Sequence, residues 1–286
     1  MKKILAVSGG IDSMCLMYLY RYDQDVLVAH FNHKMRKNAA QDAIFVAKTA
    51  NDLGLPFVKG EAKTKLKSEA SAREARYAFL RALAKKYHGE IYVAQHADDL
   101  VESAIINLLR GTGWRGLAPM SAPDIKRPLL SWQKKDCYVY AAEHQICFRQ
   151  DESNFDESFL RNRLRRVLFS PAHTALQLKN KTELLQLILA QRELKKVIDQ
   201  TISEILKNQT FCYQRESYQL EPPVSLEILR ALLLSGGIKQ TRPQVARARK
   251  AILAYSNGAY FSLDKNHFLK MGKSSFKLVK FNPSSK

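Results

Sequence analysis

The chain is 286 residues long and carries 46 Lys and Arg against 27 Asp and Glu, a formal net charge of +19. That surplus argues for a large polyanionic partner, nucleic acid before a membrane surface, and against an enzyme confined to small neutral metabolites. Four scattered cysteines (Cys15, Cys137, Cys147, Cys212) with no C-x-x-C pair speak against a zinc site and for a reducing, cytoplasmic setting. No uncharged apolar run reaches about 18 residues, so no membrane span is expected, and the N-terminus reads as a strand and not as a signal peptide.

Short apolar runs alternate with helical patterns through the first half, the mark of a parallel sheet with helices on both faces. Ile4 to Val7 read as a strand and Met14 to Tyr20 as the body of a helix. A second strand is expected over Val26–Phe31, then a helix over Ala39–Leu53 that Gly54-Leu55-Pro56 ends. Phe57-Val58 fits a third strand, Ser68–Tyr87 a helix, Ile91–Ala94 a fourth strand and Asp98–Arg110 the next helix. From about Asn180 to Asn208 the pattern is long and amphipathic, with Leu184, Leu187, Ile188, Leu194, Val197, Ile198 and Ile205 on its apolar stripe. Glu221-Pro222-Pro223 reads as a linker. Helices near 226–234 and 243–255 and strands near 259–263 and 276–279 then predict a small α+β module, and no acid follows Asp264 in a lysine-rich tail. The expected division is a catalytic domain at 1–178, a helical arm at 179–214 and a basic α+β domain at 215–286 that contacts RNA.

The run Ser8-Gly9-Gly10-Ile11-Asp12-Ser13 lies between the first strand and the first helix. Two glycines let a backbone approach a bulky anion, and helix N-terminal amides with the helix dipole then hold it. The seryl hydroxyls add donors, and Asp12 is placed either to cap the helix or to hold a phosphate-bound cation. A Walker A pattern is absent. The chain repeats the first four letters at Ser235-Gly236-Gly237-Ile238, but there they follow a helix, and this copy reads as a helix C-cap.

His96-Ala97-Asp98-Asp99-Leu100-Val101-Glu102 opens the helix after the fourth strand. Asp98, Asp99 and Glu102 fall within roughly a 100° arc, where they repel one another unless a cation shares them. Val101, Ala104, Ile105 and Leu108 form another face, expected to pack on the sheet. Ser8, His30 and Gln95-His96 all stand at strand ends, where ligands of such sheets gather. Arg110 projects near the acidic arc on the helical wheel.

The Ser8–Ser13 loop resembles that of the N-type ATP pyrophosphatases, and the chain as a whole resembles the tRNA(Ile)-lysidine synthetases within that superfamily. The resemblance runs in order through Ala29–His33 with Arg36, Glu69–Tyr77, His96–Glu102 into Asn107–Gly113, Arg127–Leu130, Asp151–Asn154 and Arg161–Arg165. It departs from the family's usual pattern at Leu100, Ser103, Trp114 and Pro119, and the chain is short for the family. It implies a PP-loop α/β fold followed by a helical arm and a small α+β C-terminal domain. It also implies a two-step reaction with ATP and Mg2+. The C2 carbonyl oxygen of cytidine 34, in the CAU anticodon of tRNA(Ile), is adenylated with loss of pyrophosphate. The side-chain amine of free L-lysine then displaces AMP.

On that resemblance Ser8, Gly9, Gly10, Ile11, Asp12, Ser13, His33 and Arg36 would bind nucleotide, and Asp12 and Asp98 would share the metal. Asp12, Asp98, Asp99, Glu102 and Arg110 would serve catalysis. Arg73, Arg76, Arg161, Arg163, Arg165 and Arg166 would contact tRNA phosphates, each of which also reads as a solvated helix charge. The oligomeric state, a homodimer included, stays open. Sister enzymes that thiolate tRNA generally use paired cysteines, which this chain lacks, and amidating ones draw on a glutaminase for which it has no room. A non-enzymatic RNA-binding module explains the charge but not the acidic arc.

Overall fold

The computed structural model describes residues 1–34, 39–62, 69–149 and 174–280. Five strands, β1 (Lys3–Ala6), β2 (Val26–Asn32), β3 (Phe57–Glu61), β4 (Glu90–Val93) and β5 (Ile125–Lys126), form one sheet in the order β3-β2-β1-β4-β5. Every neighbouring pair is parallel, with Ala6 beside both Ala29 and Val93. Parallel strands are joined by crossover helices, here α1 (Ile11–Leu19), α2 (Ala39–Asp52) and α3 (Glu69–Lys86). Helix α4 (Ala97–Leu109) leaves β4, and α5 (Lys134–Glu143) follows β5.

Period-two alternation splits the sheet's apolar residues between two cores. Leu5, Val7 and Val28 pack with Met14 and Leu16 of α1, Val46 and Ala50 of α2 and Ala141 of α5. Ile4, Leu27, Ala29, Ile91 and Val93 face the other way, onto Tyr77, Leu80 and Leu83 of α3. Successive crossovers step from β1 outward to β3, and the chain then returns to place β4 on the opposite side of β1. The reversal opens a crevice between the C-terminal ends of β1 and β4, the usual ligand position in such sheets.

The apolar face of α4 does not pack on the sheet as expected. Leu100, Val101 and Ala104 meet Leu184, Leu185 and Ile188 of α6 (Thr174–Ile205), together with Met120 and Leu130, while Leu108 is exposed. The sheet below is already covered by α1, α2, α3 and α5, and the long amphipathic helix needs an apolar partner of its own.

Contacts divide the chain into Met1–Arg192 and Glu193–Lys286, a boundary inside α6. The second unit holds α7 (Gln209–Tyr213), α8 (Pro222–Ser235), α9 (Arg242–Ala254) and an antiparallel sheet β6-β7-β8 (Tyr260–Ser262, His267–Met271, Phe276–Lys280). Its core is built around Tyr218, Leu229, Leu232, Ala248, Leu269 and Phe276. Pro222 and Pro223 open α8 and are no linker; a proline in a first helical turn lacks only an amide that would have no partner there. The second Ser-Gly-Gly-Ile copy is the C-cap its sequence predicts. Gly237 adopts φ +77°, its amide bonds Leu234, and the amide of Ile238 bonds Leu233.

Candidate active site

The loop from β1 into α1 is built by its own polar groups. Gly9 stands at φ +97°, a left-handed conformation that a side chain would strain. The Ser13 hydroxyl lies within 3.1 Å of the Ser8 amide and 3.2 Å of the Gly9 amide, and donates to the Gly10 carbonyl at 2.8 Å. Expected among the phosphate ligands, Ser13 is buried and closes the loop instead; the exposed Ser8 hydroxyl stands at the mouth. Ile11 is likewise in the core and offers the site its backbone alone. Behind the loop, Nδ1–H of buried His30 donates to the Val7 carbonyl at 2.9 Å, because a carbonyl only accepts. Burial holds the His30 imidazole below its ordinary value of 6.5, in its neutral form. The Arg149 amide bonds the Gly9 carbonyl at 2.9 Å while its guanidinium pairs with Asp42 of α2 at 2.7 Å.

Across the crevice, α4 starts at His96. Asp99 accepts the His96 amide at 3.1 Å, a cap that brings the acid to the helix's positive end. The His96 ring is buried among carboxylates, 3.8 Å from Asp12, 3.8 Å from Asp98 and 3.5 Å from Asp99. Asp98 and Glu102 are both buried, at 5% and 1% exposure. Two of these acids, Asp12 and Asp98, are each paired with a lysine of the chain itself. Lys134, at the start of α5, places its ammonium on both Asp12 oxygens at 2.7 and 2.8 Å and donates its backbone amide to Asp98 at 2.8 Å. The Lys181 ammonium pairs with the other oxygen of Asp98. Neither lysine stood out in the sequence: Lys134 lies 122 residues from Asp12, and nothing local marks it.

Buried charges are tolerated only when paired, so this polar centre is a built one. Among the described residues no set of three or more His, Cys, Asp or Glu side chains makes a cage that could hold a metal ion. Magnesium on a nucleotide is held by one or two carboxylates together with the substrate phosphates. Asp12, 28% exposed at the loop mouth, would be such a carboxylate once the Lys134 ammonium leaves its two oxygens, whereas Asp98 is buried against Lys134 and Lys181.

Other expected residues fall elsewhere. Arg110 is the exposed C-cap of α4, twelve residues beyond Asp98 and hence about 18 Å along the axis. The helical wheel aligned it with the acids in angle but ignored the rise. His33 packs edge-on against Phe31 just past β2. Arg73 and Arg76 lie on α3 beside Tyr77. Arg36, Arg161, Arg163, Arg165 and Arg166 lie outside the described residues.

Cys15 and Cys137, far apart in sequence, meet next to Asp12: the Cys15 thiol donates to the Cys137 carbonyl at 3.3 Å. The hydrogen bond with Cys15, burial and Asp12 push the Cys137 thiol up, so it is protonated and poorly suited to carry sulfur.

Residues 1–172 match the family model of the PP-loop domain. The chain belongs to the PP-loop family. A tRNA(Ile)-lysidine synthase of Thermotoga sp. (strain RQ2) is 28% identical over 96% of the chain and 70% of its own length. The Geobacter sulfurreducens enzyme of the same name is 37% identical over 58% of the chain and 39% of its length, and that of Dehalococcoides mccartyi 30% over 93% and 65%. The chain therefore spans between about two fifths and seven tenths of these relatives. A U34-tRNA thiolase from Methanococcus maripaludis shares the fold, with a TM-score of 0.53 at 16% identity over 66% of this chain and 72% of that one.

Proposed function

We propose that this PP-loop protein uses ATP to join L-lysine to C2 of cytidine 34 in the CAU anticodon of tRNA(Ile), forming lysidine. One observation carries the reading beyond the relatives' names. Asp12 of the phosphate loop and Asp98 of α4 are already bound to the ammonium groups of two lysine side chains. An arrangement that accepts primary ammonium groups beside bound phosphates is what lysine transfer to an adenylated base requires.

In the first step the C2 carbonyl oxygen attacks the α-phosphorus of ATP and pyrophosphate leaves. The backbone amides of Gly10 to Asp12 and the dipole of α1 would face the departing phosphates, with the Ser8 hydroxyl beside them. Asp12 would hold magnesium, which when bound supplies positive charge to those phosphates. In the second step the lysine side-chain ammonium gives one proton to a crevice carboxylate, the resulting amine attacks C2, AMP leaves, and the nitrogen sheds a second proton. Asp98, Asp99 and Glu102 hold the incoming lysine by its ammonium groups, Asp98 exchanging the Lys181 ammonium for that of the substrate. His96, packed among Asp12, Asp98 and Asp99, keeps these acids in place. The net charge of +19 suits a tRNA partner.

The test uses ATP, magnesium, labelled lysine and an unmodified CAU-anticodon isoleucine tRNA, followed by mild alkali. An ester is cleaved, whereas lysine joined to the base stays. Alkali-stable label that depends on ATP and is lost in Asp98→Asn is the expected result. Pyrophosphate release without label would instead mean a different nucleophile, and bound tRNA with intact ATP would mean a binding protein.

A further inference from the structure

Helix α3 crosses over between parallel strands, so its N-terminal half reaches the edge of the sheet where the crevice opens. The guanidinium groups of Arg73 and Arg76, and of Arg81 farther along the helix, lie 4.9, 5.3 and 5.8 Å from the centre of a single ring, Tyr77. Arg127, just past β5, joins them. It is half-buried, donates to the Gln95 side chain at 2.9 Å and to the Ile125 carbonyl at 3.0 Å, and so stands next to His96. Burial lowers its affinity for the proton, Tyr77 opposes that, and the charges of Arg192 and Arg73 lower it further. Asp124 pairs with Arg81.

Gathering guanidinium groups around one ring is unfavourable unless an anion joins them, and cation–π contact offsets only part of that repulsion. The Tyr77 hydroxyl gives the second, independent sign. The residue is 6% exposed, and among the described residues its hydroxyl has no hydrogen-bond partner. Buried hydroxyls normally have one, so the position lacks an acceptor.

Resting on the reading above, we propose that Arg73, Arg127 and the Tyr77 hydroxyl form a site for a phosphodiester of the RNA strand, next to the base that enters the crevice. Guanidinium forks match phosphate oxygens in pairs, and the hydroxyl supplies a further donor. The site holds the strand while Gln95, through Arg127, couples it to the start of α4. Arg192, bonded to the Pro119 carbonyl, adds charge from α6.

The full-length protein is titrated with a fluorescent anticodon stem-loop bearing CAU, at several salt concentrations, and the same variants are melted. Arg73→Gln is expected to weaken binding about tenfold and to flatten the salt slope by about 0.7 to 0.9, the loss of one phosphate contact. Arg73→Lys recovers part of the affinity. Tyr77→Phe separates a ligand role from a structural one: it weakens RNA binding severalfold while the melting temperature holds or rises, since an unpartnered buried hydroxyl is removed. Wild-type affinity and slope in both Arg73→Gln and Tyr77→Phe would overturn the proposal, leaving a cation–π stack. So would pyrophosphate displacing the RNA from wild type but not from Arg73→Gln, which would assign the site to a free phosphate product. If lysine attachment fails while the variants still weaken RNA binding, the phosphodiester site stands and the lysine-transfer reading falls. No stem-loop binding by the wild type overturns the proposal.

Discussion

Lys134 bridges the two halves of the crevice with different parts of one residue: its ammonium meets Asp12 and its amide meets Asp98. Lys134→Met keeps the amide and removes the charge, so Asp12 loses its paired cation. The pair is partly exposed, at 38% and 28% for the side chains, so solvent screening limits the cost in stability to about 1 kcal/mol. Turnover should suffer more, by about a hundredfold, the usual loss when one charge facing a reacting phosphate is removed. Steady-state kinetics with ATP and lysine varied in turn would check this, and values within twofold of wild type would dismiss Lys134. His30 gives a pH prediction. Its imidazole is held below 6.5 by burial, so the unfolded chain binds the proton more readily. The contribution is complete above about pH 6.5 and is lost as pH falls towards the folded value. Denaturant midpoints of wild type and His30→Gln should therefore diverge less at pH 5.5 than at pH 7.5. The sequence pointed to the crevice through Ser8, His30 and Gln95-His96, which all stand at or just past strand ends. It missed Lys134 and Lys181, whose proximity to the acids is purely tertiary.

At the scale of elements, β1, β2 and β4 were legible because fully buried parallel strands are continuous apolar runs. β5 escaped notice: it has two residues, too few for any period. α5 was missed because only Cys137 and Ala141 of its ten residues are buried, which leaves no stripe. The central strand β7 of the small sheet was also missed, between the exposed turn around Asp264 and Lys270. The face of α4 was misassigned because periodicity marks which residues are buried and is silent about what buries them. Its true partner makes a prediction. Ile188, 1% exposed between Leu100, Val101 and Ala104, should lose about 2 to 4 kcal/mol as Ile188→Ala. Because α4 begins at His96, lysine affinity should fall with it; an urea midpoint equal to wild type would mean that α6 does not support α4.

Across the whole molecule, the contact boundary inside α6 leaves each unit with a core of its own. The second unit is tied together by one residue. The Arg215 guanidinium donates to the carbonyls of Ile252 at 2.6 Å, Leu253 at 3.3 Å, Tyr255 at 2.7 Å and Gly272 at 3.0 Å. Three of these carbonyls close α9, where the last turn leaves acceptors without helical partners, and the fourth belongs to the turn between β7 and β8. Arg215→Ala orphans all of them and should cost the second unit about 3 kcal/mol or more, since hydrogen bonds to a charged group contribute about 1.5 to 3 kcal/mol each and do not add fully. Calorimetry of the full chain is expected to resolve two transitions. Arg215→Ala should lower one of them and Ile188→Ala the other. A single transition lowered by both variants would mean that the long helix couples the units into one cooperative structure. In that case the basic second unit could not be altered without disturbing the PP-loop crevice. With two transitions, the Arg215→Ala protein just above its lower one should still bind ATP at the first unit, and any loss of tRNA affinity there would measure what the second unit contributes to RNA binding.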